Sequence, residues 1–362
     1  MSIKRMLVPA ALLLALGALI TGCGGGGDSG TATAADAAAT SASGESTSGA
    51  TISLPTEKIG ILNVNAADPG AALLESAAKE AAETLGWSTT SIDAGGNPAK
   101  MGSGMEQLVT EKVDAVLLDA VDPAAVSEGL RQAHAANIPV VLYGGAGTQS
   151  PYVTQIVPDD YALASLASNY LINSLNGKGK VAIMTTDGIP WSRVRSELFQ
   201  QIAKEYPGIE VVTVHQVDFA NFNSDLLNAT KSVLSANPEL SAILATISPY
   251  PTPIAAAVKQ AGETEQVKVV GFYDYPSERQ LISEGDLSGV ATASFPHNAY
   301  QAVDALAQYF GAEKPLTAAE QFALPLQYEL VTKSDLPAGE EEPGSEEMVS
   351  FYEQRWQSEF GK

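Results

Sequence analysis

Cysteine, histidine and positive charge are all scarce in this chain, and each shortage removes a class of function. A single cysteine, Cys23, allows no intrachain disulfide, so stability has to come from packed cores. The three histidines, His134, His215 and His297, are scattered along the sequence, which argues against a metal cluster; a thiol enzyme is not expected either. Twenty Lys and Arg stand against 42 Asp and Glu, a formal net charge of −22. Phosphate binding runs on Lys and Arg, so nucleic acid is not a partner. The acidic run Glu340 to Glu342, with Glu346 and Glu347, reads as a solvated face or tail. No GxSxG elbow, GxxxxGK[ST] loop, HExxH pair or DxDxDG calcium loop occurs, so no enzyme signature is present and no cofactor is required. The apolar run behind Lys4 and Arg5 is also too short to cross a bilayer, which takes about 20 helical residues.

What that short run does form is an export signal. Leu19-Ile20-Thr21-Gly22-Cys23 resembles the bacterial lipoprotein signal, in which a peptidase cuts before the cysteine and the sulfur carries a diacylglyceryl group. The resemblance implies a signal peptide over 1–22, lipidation of Cys23, and a place in the cell envelope, anchored on the outer face of the cytoplasmic membrane or in the periplasm. Residues 23–56 are mostly Gly, Ser, Thr and Ala and bury too little to offset their ordering entropy. They read as a tether with a reach on the order of 30 Å.

The remaining length, roughly 300 residues, is long for one core and comfortable for two. From Lys58 onward apolar strands alternate with amphipathic helices. Lys58–Val64 reads as a buried strand. Gly70 to Leu85 has helical period, with Leu74, Ala77, Ala78, Ala81 and Leu85 on one stripe. Asp122-Pro123 is a helix start, an N-cap followed by proline at the first helical position. Further strands are expected at 87–92, 114–118, 138–143, 180–185, 209–217, 241–246, 267–272 and 288–292, with helices between them. This order predicts an α/β fold of two doubly wound, Rossmann-like lobes with parallel sheets. Ligands of such sheets collect at the carboxyl ends of strands.

The loops expected at those ends hold hydrogen-bonding and aromatic side chains: Asp68, Asp119, Tyr143, Trp191, Arg193, Phe219, Ser248, Tyr250, Tyr273 and Asp274. Carboxylates and a guanidinium bind paired hydroxyls, and flat rings cover the C–H faces of a sugar, so the mixture suits a small sugar or polyol.

In this order and spacing, several stretches resemble the ribose/galactose-type (type I) periplasmic binding proteins, the substrate-binding components of ABC sugar importers. They are Asp114-Ala115-Val116 with Asp122-Pro123-Ala124, Ala136-Asn137-Ile138-Pro139-Val140-Val141, Gly179-Lys180-Val181-Ala182-Ile183, Tyr206-Pro207-Gly208-Ile209-Glu210 and Val269-Val270-Gly271-Phe272. The resemblance covers Lys58 to about Thr332. It implies a three-segment hinge, lobe one at 57–158 plus 295–323, lobe two at 159–294 plus 324–335, and Pro158 and Pro296 near two crossings. It implies a monomer that closes on its ligand and delivers it to an ABC permease in the membrane. Among ligand positions it points to Arg193, with Arg195 next, to Asp218-Phe219, and to Ser294 where the family has glutamine. Asp68-Pro69-Gly70-Ala71 lacks the family's two aromatics, and Gly144-Gly145 replaces its Asp-Arg clamp. Those changes leave room for a non-sugar ligand, a furanosyl signal molecule or a nucleoside, and a surface lipoprotein without transport is a further alternative. The segment 336–362 is acidic, and the spacing of Met348, Phe351, Tyr352, Trp356 and Phe360 suggests a helix docked on lobe two.

Overall fold

The computed structural model describes residues 52–318, 323–336 and 345–362; the signal, Cys23 and most of the tether lie outside them. Two sheets organise the chain. The first has the order β2-β1-β3-β4-β5 and is wholly parallel: β1 Lys58–Asn63, β2 Ser88–Asp93, β3 Ala115–Asp119, β4 Val140–Tyr143 and the two-residue β5 Thr154–Gln155. The second has the order β11-β10-β9-β8-β6-β7. Its strands are β6 Lys178–Thr185, β7 Gly208–Gln216, β8 Leu240–Ala245, β9 Lys268–Phe272, β10 Gly289–Thr292 and β11 Glu329–Val331, of which only the β10–β11 pair is antiparallel. Strand order reverses between β1 and β3 in one sheet and between β6 and β8 in the other, so each lobe has a switch point where a crevice opens.

Local chemistry sets the helix starts. In α1 (Pro69–Thr84), α2 (Pro98–Thr110) and the short 3-10 turn Pro123–Val126, a proline opens the helix behind an Asp or Asn that accepts backbone amides. The expected helix from Asp122 is thus split into that turn and α3 (Ser127–Ala135). In the second lobe stand α4 Asp160–Ser174, α5 Pro190–Ala203, α6 Phe222–Ala236, α7 Pro251–Ala261 and α8 Pro276–Glu284.

Helix α9 (Phe295–Gly311) returns to the first lobe, where it packs on α1 and β4 and is buried through most of its length. The last helix, α10 (Ser345–Phe360), lies on α9. This corrects the expected docking on lobe two. The physical reason is a polar anchor inside an aromatic seam: Trp356 Nε1 donates to Asp304 Oδ1 at 2.7 Å, and its ring stacks on Tyr300 at 5.8 Å. Arg355 Nε pairs with the same Asp304 at 3.2 Å. Since β11 belongs to the second sheet and α10 to the first lobe, the chain passes between lobes four times, one more than the three-segment hinge expected.

Candidate functional site

The strand-end loops of both lobes line a cavity of about 280 Å³. The first lobe contributes Val64, Asn65 and Asp68 after β1, Pro98 and Met101 after β2, Ala120 and Asp122 after β3, and Gly144 to Gly147 after β4. The second contributes Ile189, Trp191 and Arg195 after β6, Phe219 after β7, Ile247 and Ser248 after β8, and Tyr273 and Tyr275 after β9. Phe295, at the start of α9, lines the hinge side.

The glycine loop fixes how the lobes meet. A Cβ on Gly145 would lie 2.8 Å from Cδ1 and Nε1 of Trp191, so only glycine lets the indole rest on this backbone. The loop is held by Asn298 of α9, whose Oδ1 accepts from Gly144 N at 2.7 Å and whose Nδ2 donates to Ile156 O at 2.9 Å. A second close approach occurs at Gly70, where an added Cβ would meet the Tyr275 hydroxyl at 2.2 Å and Phe295 at 3.0 Å. The space beside this first-lobe loop is thus taken by Tyr275 of the second lobe and by Phe295 at the start of α9. Tyr275 stacks on Tyr273 at 5.9 Å and 9°, and Phe295 lies 4.2 Å from Tyr273.

Arg195 is the cation of the cavity, not Arg193. Its side chain is 1% exposed. Nε and Nη2 donate to Asp160 Oδ1 at 3.0 and 2.7 Å, Nη1 to Thr246 O at 2.9 Å, and Nη2 also to the Tyr273 hydroxyl at 3.3 Å. Four of five guanidinium N–H groups are committed, and one on Nη1 is not. The rings of Trp191, Phe272 and Tyr273 lie 4.8, 4.3 and 5.2 Å from its central carbon. Burial alone would pull this guanidinium down, but the Asp160 carboxylate and Tyr273 hold it above its ordinary value. Tyr273 adopts φ +61°, rare for a bulky residue, and this kink after β9 aims its hydroxyl at Arg195.

Of the residues expected to bind ligand, Asp68, Trp191, Phe219, Ser248 and Tyr273 line the cavity together. Asp68 also caps α1 through Ala71 N, and its burial pushes the carboxyl up against the opposing pull of the Ala71 and Gly70 amides. Ser248 Oγ is buried without a hydrogen-bond partner. Six expected residues lie elsewhere. Arg193 is exposed on the outer face of α5 and donates to Asp187 O. Asp119 and Tyr143 sit beneath the cavity floor, because register aligns them with Asn63 in one row across β1, β3 and β4. There Asp119 Oδ2 accepts from Asn63 Nδ2 and from the Tyr143 hydroxyl, both at 3.3 Å, and burial raises its carboxyl well above the usual range. Tyr250 points into the second-lobe core, with its hydroxyl 2.5 Å from Thr186 Oγ1. Asp274 is turned away by the Tyr273 kink and pairs with Arg279 at 2.8 Å and Thr292 at 2.7 Å. Ser294 caps α9 through His297 N, and both it and Asp274 face a separate cavity of about 540 Å³.

Arg195 stood second in the sequence reading, while Asp160, Tyr275, Phe295, Met101 and Ile189 were not singled out. For Arg195 a signal existed: Ser192, Arg195, Ser196, Phe199 and Ala203 form the buried stripe of α5. Among the described residues no helix is long and apolar enough to cross a membrane, and no His/Cys/Asp/Glu group is arranged to hold a metal.

The chain is 26% identical over 216 residues to the ribose import binding protein of Escherichia coli (strain K12), covering 59% of this chain and 72% of that protein. It is 26% identical over 230 residues to the D-apiose import binding protein of Actinobacillus succinogenes, covering 62% and 73%. Among solved structures, the glucose-galactose binding protein of Geobacillus stearothermophilus superposes with a TM-score of 0.70 at 20% identity, over 78% of this chain and 99% of that one. These are binding proteins rather than enzymes, and so is this chain. With residues 59–314 matching the model for the periplasmic binding protein domain, the chain belongs to that family.

Proposed function

We propose that this protein is an extracytoplasmic receptor of an ABC importer, lipid-anchored through Cys23, that closes its two lobes on a small sugar or polyol and presents the closed form to a membrane permease. The observation that carries this reading is the cavity between strand-end loops of both lobes, with Trp191 of one lobe seated on Gly145 of the other and Arg195 buried at its wall. Its size suits a monosaccharide, and the named relatives include import binding proteins for ribose and D-apiose. No covalent chemistry is involved. Ligand contacts made by both lobes stabilise the closed state and shift the population toward it. The receptor acts as a monomer, and its contact with the permease is transient.

Thermal-shift measurements across sugars, polyols and nucleosides, paired with small-angle scattering, test the reading. The expected result is a raised melting temperature and a smaller radius of gyration with the same compound. A protein that no compound stabilises or compacts would instead be a surface lipoprotein without a transport role.

A further inference from the structure

One rim of the cavity is apolar. In the two sheets, β2 and β7 are the edges remote from the crossings that follow β5 and β10. The cavity residues at that far rim are Pro98 and Met101 after β2, Phe219 after β7, and Ile189 beside it after β6. None of the four carries a hydrogen-bonding side chain. Toward the middle of the sheets stand Arg195, Ser248, Asp68 and Asp122, with Asn65, the Trp191 indole N–H and the hydroxyls of Tyr273 and Tyr275 also on the lining. Arg195 has one N–H to offer. Ser248 Oγ is buried and unpartnered, and Asp68 Oδ1 is engaged with Ala71 N. Asp122, the other carboxylate of the lining, spends both oxygens on Ala124 N, Thr148 N and the Thr148 hydroxyl. A hydroxyl of a bound sugar turned toward the far rim would face carbon, and a buried hydroxyl without a partner is unfavourable.

We propose that the ligand of this cleft is a pentose-sized ring bearing an apolar substituent, with its hydroxyls toward Arg195, Ser248 and Asp68 and its substituent between Met101, Ile189 and Phe219. This rests on the receptor reading above and narrows it to a substituted sugar. Each methylene buried at the rim raises affinity about fourfold.

Isothermal titration calorimetry of the chain with D-ribose, methyl β-D-ribofuranoside and phenyl β-D-ribofuranoside provides the test. The expected series tightens in that order, with the phenyl riboside at least tenfold stronger than ribose. Ile189→Asn and Phe219→Ser should each shrink that ratio several-fold. Ribose binding as tightly as its phenyl riboside, or a ratio that neither variant moves, overturns the proposal while leaving the receptor reading in place. Absence of binding by all three probes, with no compaction by any sugar, polyol or nucleoside, overturns both.

Discussion

Removing the Arg195 side chain should destabilise the protein more than any other single change in the cleft. The Arg195–Asp160 pair is buried on both sides, at 1% and 5% exposure. Truncation to alanine leaves the Asp160 carboxylate in the interior without its cation, which costs about 3–5 kcal/mol. Against a fold stability of about 5–15 kcal/mol that is a large fraction, and the melting temperature should drop by roughly 10 °C. Urea denaturation gives the free energy, and a double-mutant cycle isolates the pair. Asp160→Ala alone should cost a similar amount, and the double variant much less than the sum, for a coupling of about 2–3 kcal/mol. Arg193→Ala, two residues earlier but on the exposed face, should change stability by less than about 0.5 kcal/mol. A loss below about 1 kcal/mol in Arg195→Ala, or additive costs in the cycle, would refute the assignment of this pair as the buried anchor of the site.

Other perturbations follow from the same contacts. Gly145→Val places a side chain 2.8 Å from Trp191 or closer, so the lobes should stay apart, with a larger radius of gyration by small-angle scattering and binding weakened at least tenfold; an unchanged radius counts against the closure contact. Trp356→Ala removes a fully buried ring from the α9–α10 seam and should cost about 3–5 kcal/mol in urea, whereas Trp356→Phe, losing chiefly the bond to Asp304, should cost about 1–3 kcal/mol. His297 is held neutral: burial lowers it from 6.5 to about 4, against a raising bond with the Leu324 backbone. Between those values the unfolded chain binds more protons, so this residue's contribution falls as pH drops from 6.5 toward 4, by on the order of 3 kcal/mol in full. Glu278, raised to about 7 by burial, acts with the opposite sign, its contribution present below 4.5 and lost as pH rises through 7. Comparing melting temperatures of wild type and His297→Gln across pH isolates the histidine, and the variant should lose less stability on acidification; parallel curves would refute the assignment.

Much of the fold was legible because parallel strands buried on both faces read as short apolar runs, and because Asp or Asn before proline marks helix starts at positions 68, 97 and 122. β5 and β11, two and three residues long, are too short to carry a pattern and exist by pairing with longer neighbours. The location of α10 depended on Asp304, a charge in the middle of a buried helix whose partner cannot be read from spacing. Within the site, residues that directly follow strands were easy to find, and their orientation was not. Asp119 and Tyr143 are the last residues of their strands, so pleat and register turn them into the core. A single left-handed residue at Tyr273 exchanges what Tyr273 and Asp274 face. Tyr275 of the second lobe and Phe295 of α9 enter because Gly70 vacates space beside them, a relation between positions about two hundred residues apart that no local motif encodes.

The most direct test is a crystal structure of the protein with whichever compound raises its melting temperature most. The account predicts ligand density enclosed between the Asp68 loop, Trp191, Arg195 and Tyr275, with the lobes closed over it. Density bound outside this cleft, or lobes that meet with the cleft filled by side chains, would contradict it.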